Sequence, residues 1–559
     1  MLDNTALYNA LVDLDVIDKG ALDDAFSECN EASESLSETL LDRDLISDEN
    51  LGMLIADILK VPFARLGTMS MEREVLQTLS EEMSRSRRVI AFKKDTEGTH
   101  IAMEKPDDLA TLALIKKKIS GQLKIYFATE RDILFALFSY QRAPAEVFEE
   151  MISKSTEEMK GSDKGEAPII KIVDTMMVFA YQSRASDVHI EPYEEYLQFR
   201  FRIDGILSDV IRLPKELEDQ IISRIKIISN LPTDEHASAL DGKFTFDVIG
   251  VEEVDVRVSI LPTTHGERVV MRLLASNMRQ YALLDLGFSE ADINKVREAY
   301  TKPYGMVLAT GPTGSGKTTT MYAFMKILNK RNVNIMTIED PVEYQIKGVN
   351  QIQVNPKTEL TFAAGLKSIV RQDPNVILVG EIRDEETAGI AVNAALTGHL
   401  VLSTLHTNDA ATTFPRMLDM GIEPFLLASS INLVVAQRLV RKICTNCRMS
   451  EVVSIEDLKN ELPMELLKKG LEKEGKGVRV YVGKGCEVCK KTGYLGRVGI
   501  YEVMPMSANV KEAVVAKKDA DEIKKIAVKD GMRTMVEDGL EKVKLGITTV
   551  EELLRVIKS

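Results

Sequence analysis

Between residues 311 and 318 the chain reads Gly311-Pro312-Thr313-Gly314-Ser315-Gly316-Lys317-Thr318, which satisfies the phosphate-loop pattern G-x-x-x-x-G-K-[ST] at every fixed position. This stretch constrains the fold tightly, because such a loop works only between a strand and a helix. Met306-Val307-Leu308-Ala309 supplies an apolar strand before it, and Thr319 to Leu328 a helical pattern after it. The glycines let backbone N–H groups curl around phosphate oxygens, and the helix turns its positive end toward them. Lys317 then reaches the outer phosphates, and Thr318 offers its hydroxyl to Mg²⁺. The loop predicts binding of a nucleotide with Mg²⁺.

Strand–helix alternation continues from Gly305 to about Arg441, the pattern of an α/β nucleotide-binding core. Hydrolysis also needs carboxylates near the γ-phosphate. Two apolar runs downstream end in acids: Ile335-Met336-Thr337-Ile338 before Glu339-Asp340-Pro341-Val342-Glu343, and Val376-Ile377-Leu378-Val379 before Gly380-Glu381. Buried parallel strands deliver such acids to the crevice at their C-terminal ends. Acids at helix starts are the competing reading. A third run, Leu400 to Leu405, is bracketed by His399 and His406, two of only six histidines. Each of these, read alone, fits a structural role better than a catalytic one.

At 559 residues the chain exceeds one hydrophobic core, so several domains are expected. Residues 1–145 alternate helical patterns with short strands, and Leu51, Leu54, Ile55, Ile58 and Leu59 share one apolar helix face. Residues 146–166 are rich in charge, Ser and Gly and read as a flexible linker. Over residues 167–276 a helix precedes alternating strands. Leu197, Phe199, Phe201 and Ile203 point one way, and Val254, Val256, Val258 and Ile260 do so on a later strand. Asp204-Gly205 forms a hairpin turn. The polar faces carry Arg202 and Arg257, which on spacing alone are a solvated surface. Residues 277–559 hold the nucleotide core, with cysteines within 441–500 and a helical tail that includes a helix starting at Thr548 and capped with Glu551.

Lys plus Arg total 71 against 86 for Asp plus Glu, and this net charge of −15 argues against broad nucleic-acid binding. No stretch reaches the roughly 18 apolar residues of a membrane span, and Met1-Leu2-Asp3-Asn4 does not open a signal peptide. A cytoplasmic protein is expected, associated with a membrane only through partners. Four of the five cysteines form Cys444-x-x-Cys447 and Cys486-x-x-Cys489. Each pair can grip one side of a tetrahedral ion, and four thiolates suit a closed structural Zn²⁺ site. Disulfides are the competing reading in an oxidising compartment. Cys29 stands alone and reads as structural.

Together these motifs resemble the secretion-superfamily ATPases, and among them the type IV pilus assembly (extension) and type II secretion ATPases of the PilB/GspE family. Thr337-Ile338-Glu339-Asp340-Pro341-Val342-Glu343 looks like the family's aspartate box, and Leu378-Val379-Gly380-Glu381-Ile382-Arg383-Asp384 its atypical Walker B. Gly398-His399-Leu400 through Thr404-Leu405-His406-Thr407 is similar to its histidine box. Ser186-Asp187-Val188-His189-Ile190-Glu191-Pro192 and Phe201-Arg202-Ile203-Asp204-Gly205 look like signatures of its second N-terminal domain.

The resemblance implies a multidomain α/β protein. A RecA-like core with a zinc-binding insertion follows an α+β, PAS-like domain and a smaller platform-docking domain. It implies ATP hydrolysis in which Glu343 positions the attacking water, Glu381 acts at Mg²⁺ or the γ-phosphate, and His406, with His399, senses the γ-phosphate. The loop residues 311–318 with Thr319, Glu339 and Asp340 would line the nucleotide site. Arg202, Arg257, Arg268 and Arg272 would reach the phosphates as the preceding domain closes. It implies a homo-oligomeric ring, a hexamer, at the inner face of the cytoplasmic membrane. There it would drive an inner-membrane platform protein in pilus assembly or, alternatively, type II secretion. A nucleic-acid translocase is disfavoured by the net charge. Some members bind cyclic di-GMP through an Arg-Leu-Gly-type motif. Here the matching stretch is Ser35-Leu36-Ser37-Glu38, with Asp44 where a glycine is common, so no such binding is expected.

Overall fold

The computed structural model describes residues 3–14, 17, 19–32, 35–43, 45–69, 71–137, 140, 166–248, 253–274, 283–454, 473–474 and 477–558. All but the last residue of the predicted linker, together with Asp44 and the 276/277 boundary, lies outside them. Two compact units result, Met1–Glu38 with Asp48–Gln280 and Thr39–Ser47 with Tyr281–Ser559.

The first unit contains two sheets. In the first, β1 (Val89–Asp95) pairs antiparallel with β2 (Gly98–Met103), which pairs in parallel with β3 (Leu123–Phe127). The parallel pair is joined by helix α1 (Leu109–Lys118), whose N-cap Asp108 accepts from the N–H groups of Ala110 and Thr111. Upstream, the helix Asp48–Leu59 buries Leu51, Gly52 and Ala56 and leaves Leu54, Ile55, Ile58 and Leu59 only half-buried. Its packed stripe is therefore narrower than the spacing predicts. At Gly52 the helix comes close to its neighbours, since a Cβ there would lie 2.7 Å from the Phe63 ring.

Helix α2 (Glu166–Gln182) leads into six strands. These are β4 (Ala185–Pro192), β5 (Tyr196–Ile203), β6 (Ile206–Pro214), β7 (Leu240–Asp247), β8 (Glu253–Thr263) and β9 (Gly266–Leu274). They form one antiparallel sheet in the order β6-β5-β4-β9-β8-β7, with helix α3 (Glu218–Ile228) between β6 and β7. The period-two pattern decides the faces. Leu197, Phe199, Phe201, Val254, Val256, Val258 and Ile260 bury against α2 and α3, and the polar residues between them take the other face. Asp204 and Gly205, at φ 49° and 85°, make the predicted turn between β5 and β6.

The second unit is built on seven strands, β10 (Gly305–Thr310), β11 (Ile335–Glu339), β12 (Asn350–Gln353), β13 (Val376–Val379), β14 (Leu400–Leu405), β15 (Ile431–Ile443) and, last in the chain, β19 (Tyr494–Pro505). Their order is β12-β11-β13-β14-β10-β15-β19, parallel except for the antiparallel edge pair β15–β19. Apolar runs such as Val376–Val379 are buried on both faces, as a helix-covered parallel sheet requires. Between β15 and β19 lies a small sheet, β16 (Arg448–Ser454) and β17 (Lys473–Glu474) flanking β18 (Gly477–Gly483). Helix α4 (Lys317–Leu328) starts two residues earlier than predicted, because Gly316 at φ 88° already turns the chain into it. The closing helix α5 (Val550–Lys558) starts later than predicted. Its cap is Thr549, whose hydroxyl accepts from the Glu552 N–H at 3.2 Å, while the Thr548 hydroxyl donates to the Arg441 carbonyl at 2.8 Å. A tie to β15 has claimed the side chain that local spacing assigned to the cap.

Candidate nucleotide site and metal centre

Parallel register places the chemistry. Thr310 on β10 faces Leu405 on β14, and Val379 on β13 faces both Ser403 and Ile338. The C-terminal ends of β10, β11, β13 and β14 therefore share one edge of the sheet. That edge carries the phosphate loop, the segment Glu339–Glu343, Gly380–Glu381 and His406, where open α/β sheets bind ligands.

The loop is held open by conformation. Gly311, Gly314 and Gly316 have φ of 147°, 77° and 88°, and a Cβ on Gly311 would lie 2.4 Å from the Gln437 carbonyl oxygen. Gln437, buried on β15, also donates its Nε2 to the Ser315 carbonyl at 2.8 Å. The Ser315 hydroxyl is buried and has no hydrogen-bond partner among the described residues. A buried donor beside a ring of glycines fits an oxyanion ligand. Lys317 folds back to donate to the carbonyls of Gly311 (2.8 Å) and Pro312 (3.1 Å). Burial pushes its pKa down, and the charge of Glu381 opposes that shift. Thr318 is exposed at the start of α4, and its hydroxyl and the Glu381 carboxylate are hard oxygen donors of the kind that could hold Mg²⁺.

Glu381 is fixed from several sides. The Ser403 and Thr404 hydroxyls donate to the carbonyls of Val379 and Gly380, each at 2.8 Å, and Ile382 donates to Thr404 at 3.0 Å. Its carboxylate pairs with Arg383 at 2.5 Å and His406 Nε2 at 3.3 Å. Hydrogen bonding to Glu381 raises the Arg383 pKa, and the nearby charge of Asp340 adds to this. Thr407 donates its N–H to the Thr310 hydroxyl at 3.0 Å, which anchors the His406 turn to the root of the loop. His399 is elsewhere. It precedes β14, at the opposite end of that strand from His406, with Nδ1 3.0 Å from the Ala394 carbonyl.

Glu339 is turned inward, 3% exposed, and accepts from Thr337 Oγ1 at 2.6 Å, from Gln351 Nε2 at 3.3 Å and from Tyr322. Burial pushes its pKa up, and those donors oppose the shift. Glu343 donates its backbone N–H to the Tyr322 hydroxyl at 3.3 Å.

The four arginines belong to the first unit and stand on the polar face of its sheet. Arg202, Asp187, Arg272 and Arg257 are successive cross-strand neighbours on β5, β4, β9 and β8. Asp187 accepts from Arg272 at 3.0 Å and lies 3.6 Å from Arg202, and Glu191 pairs with Arg268 at 2.9 Å. Arg202, Arg272 and Arg257 thus form a row around Asp187, while Arg268, four residues along β9 from Arg272, is held by Glu191.

The cysteines converge as their spacing predicts. The sulfurs of Cys444, Cys447, Cys486 and Cys489 all lie within 4.8 Å of one another. Cys444–Cys486 and Cys447–Cys489 are each 3.8 Å apart and Cys486–Cys489 3.7 Å. A tetrahedral ion bound at about 2.3 Å separates its sulfurs by about 3.8 Å, so the cluster could hold Zn²⁺. Cys29 is buried within its helix and donates to the Phe26 carbonyl at 3.2 Å.

Sequence spacing overlooked Tyr322, Gln351 and Gln437, which reach the site from α4, β12 and β15, far apart along the chain. Arg383, two residues beyond Glu381, was within reach of motif reading.

The family model described as type II/IV secretion system protein matches residues 162–555, and that of the MshEN domain matches residues 59–147. The type IV pilus assembly ATPase PilB of Myxococcus xanthus is 40% identical over 509 residues, 88% of each chain. That of Pseudomonas aeruginosa is 35% identical over 570 residues, 99% of each chain. The type II secretion system protein E of Aeromonas hydrophila is 46% identical over 393 residues, 70% of this chain and 76% of that one. Among solved structures, the ATPase DotB of Yersinia pseudotuberculosis aligns with a TM-score of 0.51 at 19% identity, covering 69% of this chain and 92% of that one, a likeness of fold.

Proposed function

This chain belongs to the type II/IV secretion system protein family, and from that membership we propose that it is an Mg²⁺-dependent ATPase motor for type IV pilus assembly. The observation that carries the reading is the meeting of the phosphate loop, Glu343's segment, Glu381 and His406 on one sheet edge. Lys317 and the loop amides bind the phosphates. Glu343 orients the attacking water, and Glu381, held between Arg383 and His406, acts at the metal or the γ-phosphate. His406, paired with Glu381, would sense the γ-phosphate, and His399, named with it, lies at the opposite end of β14. Mg²⁺, when bound, neutralises charge building on the β- and γ-oxygens. Arginines of the preceding domain would complete the site on closure, and one such arginine can contribute about 10³–10⁵ in rate. Zn²⁺ in the four-cysteine cluster would be structural.

The motor would work as a hexameric ring on an inner-membrane platform protein, reaching the membrane only through that partner. Among the described residues no helix is long and apolar enough to cross a membrane. Alignment with pilus relatives over nearly the whole chain favours pilus assembly. Higher identity over a shorter span supports type II secretion as the second reading. Membrane pull-down with this protein, followed by mass spectrometry, separates the two. A pilus platform is expected, and recovery of a secretion platform instead would reverse the assignment. The expectation that cyclic di-GMP does not bind rests on residues 35–44, whereas the MshEN model matches residues 59–147, where the chain reads Arg65-Leu66-Gly67. It therefore does not hold, and calorimetry with cyclic di-GMP tests the binding directly.

A further inference from the structure

Glu343 acts through its position, and the structure ties that position to one hydroxyl. Tyr322 lies five residues after Lys317 on α4 and is 1% exposed. Its oxygen accepts the Glu343 N–H at 3.3 Å and lies 3.4 Å from Gln351 Nε2, and its proton goes to Glu339. With Glu339 ionised and able only to accept, the Tyr322 hydroxyl donates to it and keeps a lone pair for the Glu343 N–H. Gln351 Nε2, with two protons, has three acceptors in reach: the Tyr322 oxygen, the Glu339 carboxylate and the Tyr344 carbonyl. Gln351 on β12 grips the same segment further on, donating to the Tyr344 carbonyl at 3.0 Å and accepting from the Ile346 N–H at 2.7 Å. The Tyr322 ring packs edge-on to Tyr344 with centroids 4.8 Å apart. The helix that begins at the phosphates therefore carries the handle on which the water-positioning acid hangs.

We propose that Tyr322, oriented by Glu339 and Gln351, is a positioning residue that sets Glu343 against the phosphate loop. Glu339 then belongs to this buried support and makes no contact with nucleotide. The inference rests on Glu343 being the residue that places the water. A displacement of about 1 Å at such a residue can cost on the order of 10² in rate, while nucleotide contacts made by the loop are untouched.

The test is a double-mutant cycle on the full-length assembled protein, reading steady-state kcat and KM for MgATP and the dissociation constant for ADP. Tyr322→Phe keeps the ring and removes the hydroxyl. It should lower kcat about tenfold to 10²-fold, with KM and ADP affinity within about twofold. Added to Glu343→Gln it should cost less than about twofold more, because both act through one group. Gln351→Met, which fills similar space without the amide, should show a smaller loss of the same non-additive kind, and it decides the matter if Tyr322→Phe does not fold. Unchanged kcat in Tyr322→Phe, or an equal fold loss in the Glu343→Gln background, overturns the inference. If Glu343→Gln itself turns over like wild type, the reading of Glu343 fails first and this inference with it. An inactive Glu343→Gln beside a fully active Tyr322→Phe defeats the inference alone.

Discussion

Lys317 donates to the carbonyls of Gly311 and Pro312 in its own loop. A phosphate offers such an ammonium stronger, charge-assisted partners worth about 1.5–3 kcal/mol. Lys317→Ala should therefore weaken nucleotide binding roughly 10- to 100-fold and abolish turnover. Glu381→Gln should retain binding and lose hydrolysis, since the amide keeps the shape but not the charge beside Arg383 and His406. Fluorescent-nucleotide titration and phosphate release read the two effects separately, and full turnover in Glu381→Gln would remove that residue from the mechanism. Glu552 illustrates a structural charge. Burial pushes its pKa up, but hydrogen bonds from Arg555 and Arg441 outweigh this and hold it at about 2. A carboxylate with a lowered pKa stabilises the fold fully above its unfolded value near 4.5 and progressively less as pH falls toward 2. Glu552→Gln should cost about 2 kcal/mol in urea unfolding at neutral pH, with the difference from wild type shrinking through that acid window. A difference that stays constant with pH would refute this origin.

The four-cysteine element behaves as an attachment to the main sheet. Cys444 donates its N–H to the Gly493 carbonyl at 2.9 Å where β15 and β19 run out, so two sheet ends feed one cluster. Zinc binding at such sites contributes roughly 10–16 kcal/mol in small peptides. Strong chelation should therefore raise amide exchange across residues 444–454 and 477–493 while β10 to β15 stay protected. Unchanged exchange with the metal demonstrably removed would argue against a structural role. At this scale the sequence was readable wherever one element carried the whole signal: the loop between β10 and α4, the acids after β11 and β13, the Asp204-Gly205 turn, the two CxxC pairs. It was silent on Gln437 and Tyr322, because their partners come from strands that meet only through sheet order. The predicted cap at Thr548 missed for the same reason, its hydroxyl being drawn to β15.

Each chain carries one phosphate loop, and the row Arg202–Asp187–Arg272–Arg257 lies in the other unit. If sites are completed and coupled around a ring, inactive subunits should poison active ones. Mixing wild type with an equal amount of Lys317→Ala protein before assembly leaves roughly 1 in 64 six-membered rings wholly active. ATPase activity should then fall far below half, whereas a linear decline would show independent sites. The fold class was legible in residues close together in the chain, and so were the expectations of a nucleotide ligand, of acids at strand ends and of a four-cysteine metal site, since those chemistries need short, fixed spacings. Which histidine stands at the loop, that Glu339 turns inward, and that Arg202, Arg272 and Arg257 share one row with Asp187 were decided only by strand order and register. Those contacts join segments from about a dozen to nearly a hundred residues apart, and nothing local in the chain encodes which of them become neighbours.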